Sequence, residues 1–346
     1  MLVAPLNWGL GHATRCIPII NALLKAGFEP ILASDGNALL LLQKEFPSLK
    51  FYTLPSYNIK YTKSGKNLKF KLFLHFPSII SAVKKEKKIV HKIILNENVA
   101  GIISDNRFGV FSKKVPSVYI THQLNVLSGK STYLTSKIHQ KIIKKYNQCW
   151  VPDMEGKESL SGELGHLLKR NLMPEYIGVL SRFKRRKTVK KYNLMVFLSG
   201  PEPQRTLLEN ILLNKLKDVK EPVLFVRGIL SDETEISAPE NFNVVNYLNG
   251  NDLEMALNES KLIIARSGYS TIMDLAVLGK KAFFIPTPGQ YEQEYLAEIL
   301  NDKRIAPYAK QHKFTLENLK KVENFNGFKS HQMKLDLDLF NLFKSK

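Results

Sequence analysis

The chain has 346 residues, 44% hydrophobic and 10% aromatic, with 51 Lys+Arg against 31 Asp+Glu for a formal charge of +20. This length and apolar content exclude a disordered chain and suit two domains; no 18-residue apolar run predicts a spanning helix, and two unpaired cysteines, Cys16 and Cys149, exclude a disulfide framework or zinc site. The charge points to anionic partners and is lopsided, since residues 1–182 hold 26 Lys+Arg against 11 Asp+Glu.

In chain order, "MLVAPL" (1–6) reads as a buried strand with no basic, apolar leader before it, which predicts a cytoplasmic protein. Residues 13–26 have helical apolar spacing closed by Gly27. "EPILASD", "KFYTLP", "VAGIISD" and "PSVYITH" are further short apolar runs alternating with helical stretches, the pattern of βαβ units on a parallel sheet. The pattern ends near "PEYIGVLSRF", and "KRRKTVKK" (184–191) reads as an interdomain linker. It restarts with "LMVFLSG", a helix led by Pro203, then "PVLFVRG", "NFNVVNYL", "KLIIARSG" and "KKAFFIPTP", with helical patterns over 252–259 and 269–278. The expected domains are 1–182 and 183–330, followed by a tail helix over 331–346.

Two stretches carry chemistry. In "NWGLGHATR" (7–15) a glycine turn joins the first strand to the first helix, where backbone N–H groups meet anions. Thr14 stands where a dinucleotide fingerprint needs its third glycine. His12 opens the helix, whose dipole favours a neutral imidazole able to act as a base; the alternative is a histidine that merely caps its helix. In the second stretch, residues 265–297, a strand delivers Arg266, Ser267 and Gly268 to a helix mouth beside Ser270 and Thr271, an assembly suited to a diphosphate. Asp274 is placed to accept from a ribose diol, and Gln290, Glu292 and Gln293 open the next helix, able to read sugar hydroxyls. Helix caps without any ligand use the same residues. "SDNR" (104–107) ends a strand, so Asp105 and Asn106 either position a hydroxyl or form an Asx turn. "SGKST" (128–132) lacks the first P-loop glycine, and "DLD" (336–338) alternates with leucines and is no metal site.

These motifs resemble the GT-B glycosyltransferases of the family that includes the peptidoglycan GlcNAc transferase (MurG-type). "GLGHATR" resembles that family's first glycine loop, and "THQLN" (121–125) resembles its His-Glu-Gln-Asn segment at His122 and Asn125. "RSGYSTIMD" resembles its Arg-Ser-Gly motif with the acid at Asp274, and "GQYEQEYLA" its glutamine pair, with Glu292 in place of one glutamine. Leu248 falls where the family's backbone meets uracil. The resemblance implies an α/β fold of two Rossmann-like domains facing a cleft (GT-B type), a UDP-sugar donor on the C-terminal domain, an acceptor near Gly11, Asp105, Asn106, His122 and Asn125, His12 as catalytic base, and no metal or other cofactor. The chain departs from the family at "LSGPEPQR", where two prolines remove backbone donors and Glu202 is unwelcome beside a diphosphate, which puts phosphate contact at Ser199 and Gly200 in question.

Residues 60–92 contain ten lysines and one acid, interleaved with Phe70, Leu72, Phe73, Leu74 and Phe76. This pattern suits an anionic membrane face; a solvated helix face is the plain alternative, and a nucleic-acid partner lacks the Arg and Tyr arrangement of stacking proteins. The sequence is therefore expected to encode an inverting, metal-independent transferase, peripheral on the inner membrane face, moving a GlcNAc-like sugar from a UDP-sugar to a membrane glycolipid or cell-envelope hydroxyl. Two other functions fit. One is a UDP-sugar hydrolase of the pseudaminic-acid type, whose Gly-His-x-x-Arg-Cys pattern resembles Gly11, His12, Arg15 and Cys16; the other is a non-catalytic nucleotide-sugar-binding protein.

Overall fold

Short apolar runs become parallel strands when both faces are covered, and Leu2–Pro5 (β1) is the first, with all four residues buried. The computed structural model of the chain describes residues 1–57, 68–167, 172–200, 202–229, 236–331 and 335–344, the side chains of 68–76 excepted. After β1 come Gly11–Lys25 (α1), Ile31–Ser34 (β2), Gly36–Glu45 (α2), Phe51–Thr53 (β3), Leu68–Asn96 (α3), Ile102–Asp105 (β4), Ser117–Ile120 (β5), Thr132–Ile143 (α4), Gln148–Val151 (β6) and Glu175–Tyr176 (β7). The seven strands form one parallel sheet in the order β3-β2-β1-β4-β5-β6-β7. Ile93 and Ile94 of α3 pack on Leu2, Ala4, Ile31 and Ile102, closing one face of that sheet. Strand β6 was not evident from the sequence, because "QCWV" offers only three apolar residues directly after a lysine-rich helix end.

The pattern repeats in Tyr192–Phe197 (β8), Gln204–Lys215 (α5), Val223–Val226 (β9), Phe242–Val245 (β10), Gly250–Glu259 (α6), Ser260–Ala265 (β11), Tyr269–Leu278 (α7), Lys281–Phe284 (β12), Tyr291–Asp302 (α8) and Glu317–Lys320 (α9). Here the parallel order is β10-β9-β8-β11-β12. Leu208, Leu212 and Leu216 pack against Val196, Phe225 and Ile264 in its core. The two sheets belong to two compact units, the first holding described residues 1–57, 69–182 and 335–344, the second 183–331.

Two expectations need correction. The tail is a 3-10 turn, Leu337–Phe343, rather than a regular amphipathic helix, and it belongs to the first unit. Phe340 packs against Phe28 and Trp150, and Phe343 fills the space a side chain at Gly101 would need. Residues 184–191 are not a free linker: the N–H groups of Lys184 and Arg186 donate to Glu254 and Asn258 of α6, and Lys191 N–H donates to Glu259 O. Charge kept this segment out of the core, but its backbone still needed acceptors. Among the described residues no helix is long and apolar enough to cross a membrane.

Candidate functional site

In an open parallel sheet, ligands bind beyond the carboxyl ends of the strands where the strand order reverses. In the first unit that point lies between β1 and β4, paired from Leu2↔Ile102 to Pro5↔Asp105. The turn after β1 carries His12 as the second residue of α1, and β4 ends on Asp105. Asp105 is fully buried, yet the Arg15 guanidinium and His12 beside it hold its carboxyl well below the usual range. It is therefore an acceptor only, and His12 Nδ1 lies between it and a pure donor, 2.8 Å from Asp105 Oδ1 and 2.9 Å from Arg15 Nη2; in the Nδ1–H tautomer this nitrogen donates to Asp105. Arg15 Nε and Nη2 grip the same carboxylate in a fork, while Arg15 Nη1 donates to His122 Nδ1 at 3.1 Å. With Nδ1 protonated, Nε2 of His12 holds the lone pair, and among the described residues it carries no hydrogen bond. Burial lowers the His12 pKa, with the Asp105 charge opposing it, so the imidazole is neutral at neutral pH. The first cause is burial.

The sequence-predicted residues around this dyad divide. Gly11 opens α1, and half-buried Asn106, in the left-handed region at φ 57°, accepts from Tyr119 OH at 3.0 Å. His122 is buried and braces Arg15. Asn125 must be corrected: its amide nitrogen donates to the carbonyls of Glu163 and His166, bracing a loop rather than facing an acceptor. Arg15 was missed as a site residue, although its spacing of three from His12 on one helix face was a readable signal. Arg107 was missed too; wholly buried, it pairs with Glu86 of α3 at 2.6 Å and Asp35 at 2.8 Å. Glu86 is the one acid of the lysine-rich stretch; it turns inward, while Lys84, Lys85, Lys87 and Lys88 stay exposed. Residues 60–67 of that stretch, and the side chains of Phe70, Leu72, Phe73, Leu74 and Phe76, lie outside the described residues.

In the second unit the order reverses between β8 and β11. Beyond β11, Gly268 is the N-cap of α7, with no side-chain cap and empty space where a Cβ would stand. The first N–H groups of α7 therefore lack a capping side chain, beside half-buried Ser270 and Thr271. Ser267 Oγ donates to Gln293 O at 2.7 Å, and Gln293 Oε1 accepts from Thr287 N–H at 2.9 Å, tying the start of α8 to this turn. Gln290 is the N-cap of α8, Glu292 is half-buried in the first turn of α8 and Asp274 in the second turn of α7, and Leu248 lies half-buried in the loop before α6. Arg266 requires correction. Its guanidinium is 2% exposed and donates to the carbonyls of Ile285, Pro286 and Gln204, with burial lowering its pKa to about 9. It knits three loops together and does not face a ligand. Beyond β8, Glu202 pairs with Arg205 and caps Thr206 N–H, so a carboxylate of the chain itself already occupies the α5 terminus.

The second unit matches the family model of the glycosyltransferase family 28 C-terminal domain over residues 204–331. The chain is 24% identical over 207 residues to the UDP-N-acetylglucosamine--N-acetylmuramyl-(pentapeptide) pyrophosphoryl-undecaprenol N-acetylglucosamine transferase of Haemophilus ducreyi; that match spans 58% of this chain and 55% of that protein. It is 22% identical to a glycosyltransferase of Methanosarcina acetivorans, over 91% of this chain and 87% of that one. Among solved structures, the glycotransferase of kitacinnamycin superposes with a TM-score of 0.66 at 12% identity, covering 93% of this chain and 88% of that one. MurG of Acinetobacter baumannii gives 0.56 at 16% identity, covering 94% and 92%. Two parallel-sheet units and this matched domain define the class: the chain is a glycosyltransferase with the GT-B fold. Within that class, residues 204–331 match the family 28 C-terminal domain, and the relatives named above are 22–24% identical.

Proposed function

We propose that the chain transfers a GlcNAc-like sugar, with inversion and without a catalytic metal, from a UDP-sugar held by the second unit to a hydroxyl activated in the first. The observation that carries this reading is the pairing of half-buried His12 with buried Asp105 at the β1/β4 reversal. His12 Nε2 takes the proton of the acceptor hydroxyl as its oxygen attacks the anomeric carbon. The bond from that carbon to the diphosphate oxygen breaks, and its electron pair leaves with UDP. One displacement inverts the anomeric centre. The uncapped N-terminus of α7, with Ser270 and Thr271, stabilises the departing charge. Asp274 holds the ribose, Leu248 lies beside the uracil, and Gln290, Glu292 and the Gln293 amide nitrogen read the sugar. Gly11 and Asn106 border the acceptor. The exposed lysines of α3 hold the protein on an anionic membrane, which suits a lipid-linked acceptor at the inner face.

Purified protein incubated with UDP-GlcNAc, other UDP-sugars and a lipid extract should give UDP and a product heavier by one sugar. Release of UDP and free sugar without any such product would support the second reading, the hydrolase. One observation favours that reading: Arg15 and Cys16, the Arg-Cys of its pattern, both approach Asp105, Cys16 Sγ at 3.7 Å.

A further inference from the structure

The chain has two tryptophans, and they are treated oppositely. Trp150 is wholly buried in β6, whereas Trp8 is 40% exposed on the turn between β1 and α1. A single exposed aromatic is ordinary; the setting of this one is not. The residue before it is clamped. Asn7 Nδ2 donates to Asp35 Oδ2 at 3.2 Å and Asn7 Oδ1 accepts from Ala38 N–H at 3.3 Å, while a Cβ on Gly36 would collide with the Asn7 amide. Asp35 is itself held by the buried Arg107. On the other side Gly9 has φ 78° and open space around its missing Cβ. Trp8 thus stands, 40% exposed, next to a preorganised base, where little order has to be gained on binding.

Trp8 and His12 are four residues apart, so their Cα atoms are separated by at most about 14 Å. That is the reach of one or two pyranose rings. We infer that Trp8 is the platform for the acceptor, stacking on the C–H face of a neutral saccharide ring and presenting a hydroxyl of that ring or its neighbour to His12. The indole face carries the negative end of its quadrupole and suits such C–H groups, and its two side-chain torsions cost little to fix. The local charge argues for a sugar over a bilayer: residues 5–14 include no Lys or Arg, and Arg15 is turned inward onto Asp105. This inference rests on the acceptor-side reading of His12 and narrows it to an acceptor that presents a sugar.

Acrylamide quenching reads Trp8 selectively, because Trp150 is buried. The probes are methyl glycosides of glucose, GlcNAc, galactose and mannose and their 1→4 disaccharides, at tens of millimolar. At least one is expected to halve the quenching constant, with Trp8→Ala weakening that sugar at least tenfold in calorimetry, Trp8→Phe staying within threefold, and UDP binding unchanged in both. If none of the panel protects Trp8 in protein that binds UDP, or if Trp8→Ala binds the protecting sugar as tightly as the parent, the platform is overturned. Equal protection by phosphatidylglycerol vesicles free of glycolipid overturns it in favour of membrane contact. Failure of the parent to bind any UDP-sugar would instead count against the transferase reading and leave a sugar-protected Trp8 standing.

Discussion

His12 Nδ1 and Asp105 Oδ1 lie 2.8 Å apart although 93 positions separate them in sequence. The contact exists because β1 and β4 are neighbours, and in the Nδ1–H tautomer it leaves Nε2 as the basic nitrogen. His12→Ala should lower kcat by about 10²–10⁴ while leaving UDP affinity within twofold, since the base acts mainly in the transition state. Asp105→Asn should lower kcat similarly but also lower the melting temperature, because the buried Arg15 loses its carboxylate, a class of change costing about 3–5 kcal/mol. Steady-state kinetics with calorimetric UDP titration separates the two. Near-parent turnover in His12→Ala removes it from the mechanism.

The pH profile follows from burial. The His12 pKa lies below its ordinary value of 6.5, so kcat should be flat above pH 6.5 and fall only at lower pH as the imidazole charges. Stability moves the same way. His139 is pushed down to about 4 by burial, so between pH 6.5 and 4 the unfolded chain binds a proton that the folded one refuses. Folding stability is therefore fully present above pH 6.5 and declines toward pH 4. The Asp105 contribution runs in parallel, present above about pH 4 and lost below it. Thermal melts at pH 7.5, 6.5, 5.5 and 4.5 should fall progressively, and a constant melting temperature would contradict the assignment.

Gly268 and Arg266 should respond in opposite ways. A Cβ at Gly268 meets nothing, and its φ of −71° suits any residue, so Gly268→Ala should melt like the parent yet lose at least tenfold in UDP affinity by crowding the anion. Arg266→Ala removes three hydrogen bonds to buried carbonyls and should destabilise the second unit by several kcal/mol. Unchanged UDP binding in Gly268→Ala would mean that the donor lies elsewhere.

Reversing charge at Lys84, Lys85, Lys87 and Lys88 should abolish co-sedimentation with anionic vesicles, with no effect on neutral ones. Each lysine near such a surface contributes about 1 kcal/mol. Glu86 must be left alone, since it pairs with Arg107 inside the protein. Parent protein that ignores both vesicle types would end the membrane proposal.

What the sequence disclosed was periodic or local. The strand–helix alternation, the α7 span and the glycine turn before His12 all follow from neighbours within a few residues. Arg266 shows the limit: a guanidinium at a strand end reads as an anion ligand, and only the arrival of Ile285, Pro286 and Gln204 from other loops turns it inward. Glu86 was hidden for the same reason, since four flanking lysines announce a solvated face while its own partner, Arg107, is 21 positions away. Asn125 and Arg15 were decided by partners still farther away, 38 and 90 positions.

Phe340 and Phe343 place the last stretch of the chain in the unit that the first stretch begins. Phe340→Ala should cost about 3–5 kcal/mol, felt around Trp150 and readable as a change in its fluorescence. Residues 183–331 are synthesised before residues 340 and 343, so the earlier-made first unit keeps Trp150 uncovered until the whole second unit has been made. A released product truncated after residue 331 would thus combine a finished carboxyl-side unit with an unfinished amino-side one, the reverse of the order in which a simple tandem protein ripens.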